Sequence, residues 1–230
     1  HATLQRQGLC HLFGQRLCLI CSLNNQQFAK NDLKREQFPV GEVNHGVEIA
    51  VPMTDAIQQR HDGDDGSRKW QNNLEEQLKM IDLNDRALVA MTYITLEYME
   101  RGGRIYNMGS MSAIQPVPYI NVYGATKAFV LSFSRALNVE LKNRGIRVMA
   151  VCPYWVKTEF FDTAVKDDTV SNFNKFYTPQ QVAAKALADM KNGRDVSFCG
   201  FGTKMQRIAV KLLPHKLIMK MWCRQQGITG

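Results

Sequence analysis

The chain has 230 residues, 45% of them hydrophobic, and a formal net charge of +8, enough apolar material for one sizeable α/β core. No stretch supplies the roughly 20 uncharged apolar residues of a membrane span: the richest, 146–156 and 208–222, are cut or closed by Arg147, Lys157, Lys211, Pro214 and Lys216. The excess charge sits at one end, with six basic residues and no acid from Thr203 onward, whereas a nucleic-acid-binding domain carries it through its fold, so no nucleic-acid partner is expected.

The sequence opens without Met, and "HATLQRQGLCHLFGQRLCLIC" lacks the charged, apolar, small-residue order of a signal peptide. The chain is therefore expected to begin inside a longer parent protein. "RLCLICS" (16–22) reads as a strand, "NNQQFAKNDLKREQ" (24–37) as a helix and "GVEIAVPM" (46–53) as a second strand. The polar run 56–73 reads as loop. Residues 74–100 carry a helical apolar stripe at Leu74, Leu78, Ile81, Leu88, Met91 and Tyr98, stopped by Gly102 and Gly103. "RIYNMGS" (104–110) follows as a short strand, and a loop with Pro116 and Pro118 leads into a helix over 122–143 ending at Gly145. "IRVMAVC" (146–152) has the near-continuous apolar character of a strand buried on both faces, and Pro153 breaks it. "TPQQVAAKALADMKNG" (178–193) has the Thr cap, early Pro and terminal Gly of a helix, and "RDVSFCGFG" (194–202) reads as a last strand. This alternation predicts an α/β three-layer sandwich with a mainly parallel, Rossmann-like sheet. Of the six cysteines, Cys18 and Cys21 stand close together but within the apolar, strand-like run "RLCLICS", and the five histidines are scattered. Packed thiols in a reducing, cytoplasmic setting are expected, with no metal site.

The stretch "VYGATKAF" (122–129) places a tyrosine and a lysine four apart near a helix start. Tyr123, Lys127, Val130, Ser134, Leu137 and Leu141 share one face of that helix. The pair stands at the carboxyl edge of the preceding strand, where open α/β sheets bind ligands. A neighbouring ammonium is expected to lower the phenol pKa and make Tyr123 an acid/base near neutral pH. The same spacing also suits a packed tyrosine beside a snorkelling lysine. Ser110, just after the strand, can reach the same edge and hydrogen-bond a carbonyl oxygen. Asn84 sits on the apolar stripe between Ile81 and Leu88, where a buried amide needs partners from a water or a backbone kink.

With these residues in view, "GRIYNMGSMSAIQPVPYINVYGATKAFVLSFSRALNVELKNRGIRVMAVCPYWVKTEFF" resembles the catalytic half of the classical short-chain dehydrogenase/reductases, over about residues 74 to 225. The resemblance implies an oxidoreductase in which Tyr123 exchanges a proton with the substrate oxygen and Lys127 lowers its pKa and binds the nicotinamide ribose. It implies that Ser110 orients the substrate oxygen and Asn84 holds a water in the proton relay. "PYWVKT" resembles the segment that touches the nicotinamide carboxamide, with Pro153, Val156 and Thr158 matching it and Tyr154 in place of the usual glycine.

The first 73 residues depart from that pattern. Gly8 and Gly14 keep the outer spacing of the family's phosphate-binding loop, but Leu12 takes the middle place, and the segment runs straight into "QRLCLIC". The first strand and glycine loop are expected to be absent. Pro52 stands where an adenine-contacting acid belongs, with Asp55 three further on, and Asn72–Asn73 is followed by "LEEQ". The fourth strand is also expected to be absent, with the centre of the sheet lost. A fragment, a degenerate relative and an altered sequence all suit this. Ser22, Asn24 and Asn25 lie where an acid would bind the ribose diol of NAD, so NADP(H) is the expected coenzyme and NAD the alternative.

One domain is expected over 1–230: a divergent cofactor half (1–73), a catalytic half (74–202) and a basic, apolar C-terminal segment (203–230). That last segment suits a helical cover over the substrate pocket or a subunit interface, and also an interfacial helix in peripheral contact with an anionic membrane. The expected substrate is a small, hydrophobic carbonyl or alcohol, and the expected assembly is a homo-oligomer. The alternative is a catalytically inactive relative that acts through binding or oligomerisation.

Overall fold

In the computed structural model, the described residues are 48–51, 74–157 and 176–227. The segments read as a strand at 16–22, a helix at 24–37 and a loop at 56–73, the glycines at 8 and 14, and the coenzyme-selecting positions 22–25 lie outside them. So does Thr158.

Four strands form one parallel sheet: β1 (Glu48–Val51), β2 (Arg104–Met108), β3 (Arg147–Cys152) and β6 (Val196–Phe198), in the order β1-β2-β3-β6. The short strands β4 (Trp155–Val156) and β5 (Phe176–Tyr177) pair separately, also in parallel. The helices are α1 (Leu74–Ile81), α2 (Ala87–Leu96), α3 (Asn121–Glu140), α4 (Pro179–Lys191), α5 (Phe201–Leu212) and α6 (His215–Gln225).

Strand alternation divides the core into two faces. Ile105 and Val148 pack with Leu88, Leu96, Val130, Leu137 and Leu141 from α2, α3 and the turn after α3. Their neighbours Tyr106, Met149 and Val151 point the opposite way, against Val182, Ala186 and Met190 of α4. This is the three-layer sandwich expected. Polar ties fix α3 to the sheet: Asn107 Nδ2 donates to Ser134 Oγ at 2.9 Å, and Asn138 Oδ1 accepts from Val148 N at 2.9 Å.

The helix expected over 74–100 is interrupted. Residues Asp82–Arg86 form one wide π turn between α1 and α2, where short polar side chains weaken regular α geometry. A single extra residue in a helix re-aims the side chains around it. α2 ends at Leu96, where Arg144 donates to the Leu96 carbonyl at 2.8 Å. Past α3, Gly145 takes φ +69, the left-handed backbone that favours glycine, and a Cβ there would meet the Arg101 side chain at 2.8 Å. α4 begins with the expected cap: Thr178 and Gln181 exchange side-chain-to-backbone bonds at 3.2 and 3.0 Å.

Two strand expectations need correction. The strand after Gly103 stops at Met108, because Ser110 turns the chain into a short 3₁₀ helix (Met111–Ile114). The last strand ends at Phe198, and Phe201 already starts α5. The expected loss of the sheet's centre is also not seen beside β2. Glu48–Val51 pairs in register with Arg104–Asn107, so β2 has a strand on each side.

Candidate active site

β2 and β3 end side by side at the carboxyl edge of the sheet, and the chain leaving each strand is stitched to the other. Gly109 N donates to Val151 O at 2.8 Å, and Met111 N donates to Pro153 O at 3.0 Å. A Cβ on Gly109 would lie 2.8 Å from Cys152 Sγ, so the close approach of the two strand ends requires glycine. Ser110 is thereby held at the edge. Its Oγ accepts from Ser112 N at 3.1 Å and caps the 3₁₀ turn.

The N-terminal end of α3 abuts this edge. All six residues assigned to its inner face from the sequence are buried. Lys127 is only 2% exposed, and its Nζ donates to the Met108 carbonyl at the end of β2, 3.2 Å away. The same Nζ stands 5.6 Å from the centroid of the Tyr123 ring. The bond to Met108 leaves further N–H donors of the ammonium for a ligand hydroxyl. The Ser110 hydroxyl stands near enough to the Tyr123 phenol to act on its ionisation. Tyr123, Lys127 and Ser110 thus stand together at this edge of the sheet.

Asn84 joins it from the π turn. The amide is buried and donates to Thr126 Oγ1 at 3.0 Å, while Thr126 Oγ1 donates to the Tyr123 carbonyl at 2.9 Å. The backbone kink anticipated for this asparagine is the π turn itself. Pro153 is buried at the β3 exit, and its carbonyl serves Met111. Val156 is half-buried in β4 and packs toward the α4 face.

The electrostatics differ from expectation at Tyr123. Burial pushes its pKa up to about 12, with the Ser110 hydroxyl acting in the opposite direction. Removing a phenolate from water outweighs any neighbouring charge, so the phenol is held protonated rather than poised near neutrality. Lys127 moves the other way: burial lowers it to about 8, against the attraction of Asp85. The Cys152 thiol beneath them is pushed up to about 12 by burial and stays uncharged at neutral pH. The arrangement can donate a proton from Tyr123 to an oxygen at the strand edge and hold a hydroxylic ligand at Lys127.

Thr126 and Asp85 belong to this neighbourhood and were not assigned to it from the sequence, and the C-terminal helices reach it too. Trp222 of α6 donates from Nε1 to the Pro118 carbonyl at 3.2 Å, and Gln206 of α5 donates to Gln115 Oε1 at 3.2 Å. Trp222 and Trp155 pack against the cluster of Met80, Val117, Ile120 and Tyr123. The C-terminal segment is thus a helical cover on the loop that leads into the tyrosine, one of the two roles anticipated. The periodicity of Leu217, Ile218, Met221 and Trp222 is the signal that could have placed it.

The short chain dehydrogenase family pattern matches residues 67–169. Among curated relatives, 17-beta-hydroxysteroid dehydrogenase type 3 of Rattus norvegicus is 37% identical over 105 residues, 44% of this chain and 34% of the rat protein. Very-long-chain 3-oxoacyl-CoA reductase-B of Danio rerio is 32% identical over 145 residues, 61% of this chain and 44% of the fish protein. The matches thus span less than half the length of these relatives. A solved short-chain dehydrogenase from Sphingobium yanoikuyae, in complex with NADPH, superposes with a TM-score of 0.57 at 25% identity, covering 75% of this chain and 64% of that one. The matched stretch includes positions 84, 110, 123 and 127, and the fold is similar to that of the solved relative. Residues 67–169 thus carry the short chain dehydrogenase pattern, and the chain is similar in sequence and fold to short-chain dehydrogenases/reductases.

Proposed function

We propose that this chain is an oxidoreductase that interconverts a hydrophobic carbonyl compound and its alcohol using NADP(H). The observation that carries the reading is the buried Tyr123–Lys127 pair with Ser110 beside the phenol, at the carboxyl edge of a parallel sheet.

The residues fit the nicotinamide end of such a coenzyme. Lys127 presents a buried ammonium with open donors, suited to ribose hydroxyls. Pro153 and Val156 flank the β3 exit where a carboxamide would lie. When bound, the nicotinamide supplies or accepts a hydride at the substrate carbon. Ser110 and Tyr123 bind the substrate oxygen, and Tyr123, protonated at neutral pH, donates its hydroxyl proton to that oxygen as charge develops on it. Lys127 stabilises the phenolate that is left. Asn84, through Thr126, braces the turn of α3 that carries both groups.

The preference for NADP(H) is supported by the absence of an acid among Ser22, Asn24 and Asn25 and by the NADPH in the Sphingobium relative. A hydrophobic substrate is supported by the apolar surround of Tyr123 from Met80, Val117, Ile120, Trp155 and Trp222. The names of the relatives, a hydroxysteroid dehydrogenase and a very-long-chain oxoacyl reductase, agree with it. Titration with NADPH and NADH, followed by nicotinamide fluorescence and thermal stability, tests the reading. Saturable NADPH binding that weakens in Lys127→Ala supports it. No shift with either coenzyme at millimolar concentration would leave the alternative, a catalytically silent relative acting by binding or self-association.

A second role in addition to catalysis is favoured by the outer face of the C-terminal helices. Met205, Ile208 and Leu212 on α5, and Leu217 and Met221 on α6, are exposed, Leu212 at 76%. Lys211, Lys216, Lys220 and Arg224 are exposed among them, with no acid. Such a face suits peripheral contact with an anionic lipid surface. Co-sedimentation with anionic but not neutral vesicles, weakened by salt, is the expected result. Failure to sediment at low salt removes this role and leaves homo-oligomer contact as the use of the face.

A further inference from the structure

The π turn sets two polar residues side by side on the inner surface of its helix. Asn84 is accounted for by Thr126. Asp85 has no such tie: its Oδ1 is buried and has no hydrogen-bond donor among the described residues. The turn's other acid, Asp82, faces outward and lies 3.7 Å from Arg86, both largely exposed. Asp85 is thus the acid of this turn that points inward, and the turn packs on α3, where Asn84 is tied to Thr126, the residue before Lys127. A carboxylate with a buried oxygen contributes nothing to packing and is costly to keep without a counter-charge. The charge it senses is that of Lys127, whose ammonium, among the described residues, donates to Met108 O.

We propose that Asp85 is a positioning residue for Lys127: its carboxylate keeps the ammonium charged and turned to the strand edge, and forms the inner end of a proton path from Lys127 to solvent. The proposal rests on the oxidoreductase reading above. In the reducing direction Tyr123 gives its hydroxyl proton to the substrate oxygen, and the Lys127 ammonium returns a proton to the phenolate. The amine left at Lys127 is reprotonated through Asp85, whose carboxylate takes up a proton from solvent across its exposed half, passes it to the amine and is a carboxylate again. One proton enters per turnover, and in the oxidising direction each transfer reverses. Both groups suit the traffic. Burial lifts Asp85 to about 6 and lowers Lys127 to about 8, so their proton affinities are drawn together. Among the described residues, three groups face Lys127: Asp85 from the π turn, Tyr123 from its own helix and Cys152 from β3. At neutral pH Tyr123 and Cys152 are uncharged, which leaves Asp85 as the source of the field.

The test compares Asp85→Asn and Asp85→Glu with the wild-type chain. In the absence of coenzyme, thermal stability is followed against pH. The wild-type onset of the Lys127-linked rise is expected near pH 8, the Asn variant's lower by about one pH unit, and the Glu variant's close to wild type. With NADPH and a ketone substrate, the Asn variant is expected to lose roughly tenfold or more in kcat with a shifted pH profile, and the Glu variant to retain most of it. Because Asp85 ionises at a cost, the Asn variant is expected to be at least as stable as wild type at pH 7. An unshifted onset, or a variant that is destabilised or does not fold, overturns the proposal and makes Asp85 a structural residue. If wild type binds neither coenzyme, the oxidoreductase reading and the proton path fall together, while the onset shift still decides whether Asp85 sets the charge of Lys127.

Discussion

Asn84 donates its side-chain amide to Thr126 Oγ1 at 3.0 Å, and the same hydroxyl donates to the carbonyl of Tyr123. A threonine that plays no chemical part thus couples the π turn to the turn of α3 carrying both Tyr123 and Lys127. Thr126→Val keeps the shape and removes the acceptor from a buried amide. The expected cost is about 1–3 kcal/mol, read from urea unfolding. Thr126→Ser retains the hydroxyl and is expected to recover most of it. Equal stability of Val and Ser variants would show that the bond does not carry the coupling.

Tyr123→Phe separates the proton from the packing. The ring stays buried, so unfolding is expected to change little, and NADPH affinity is expected to stay within a few-fold of wild type. Turnover is expected to fall by about 100-fold or more, the usual range for a lost general acid. Steady-state kinetics on a panel of hydrophobic ketones reads this. Unchanged turnover would move the proton donor elsewhere.

Burial of Lys127 makes stability depend on pH in a defined direction. Its folded pKa, about 8, lies below its ordinary value of 10.5. Between these values the unfolded chain holds the proton and the native chain does not, so stability rises with pH. Tyr123 acts oppositely above about pH 10, because its folded pKa is raised to about 12 and the native chain then keeps a proton the unfolded chain loses. The difference in melting temperature between wild type and Lys127→Met is therefore expected to narrow from pH 8 toward pH 10, with the Met variant the more stable at pH 7. Calorimetry across this range checks the sign. A constant difference would show that Lys127 does not titrate there.

The sequence made some of this site legible because the signals are local. Tyr123, Lys127, Val130, Ser134, Leu137 and Leu141 recur at helical spacing, and all are buried on one face of α3. Asn84 on an apolar stripe signalled that something must satisfy it. What supplies the partner, Thr126, lies 42 residues away, and no periodicity links the two. Asp85 hid beside Asn84, because "DLNDR" reads as a solvated helix turn until the extra residue of the π turn swings it inward. The sign of the Tyr123 shift was misread by weighing the neighbouring ammonium without desolvation, which in a buried phenol dominates. The place of β1 beside β2 was beyond reach for another reason. A strand's own pattern reveals its faces but not its neighbours, so the polar run before residue 74 suggested a gap where Glu48–Val51 in fact pairs.

Trp222 offers a way to test the C-terminal cover without touching the chemistry. Its indole N–H holds the Pro118 carbonyl, and the next residue, Tyr119, takes φ +71, a left-handed backbone costing about 1–3 kcal/mol in a bulky residue. Such a conformation persists only where its surroundings fix it. Trp222→Phe keeps most of the packing against Tyr123's cluster and removes that one bond. The expected loss is about 0.5–1.5 kcal/mol, or about 2–4 °C in melting temperature for each 1 kcal/mol in a chain of this size. Tyr119→Gly, which accepts the left-handed backbone freely, is expected to be less sensitive to the loss of Trp222's bond than wild type. In kinetics, the Phe variant is expected to raise KM for hydrophobic substrates several-fold while leaving kcat near wild type, since Tyr123 and Lys127 are untouched. A fall in kcat with KM unchanged would mean that α6 acts on the tyrosine itself rather than on the loop that closes over the substrate.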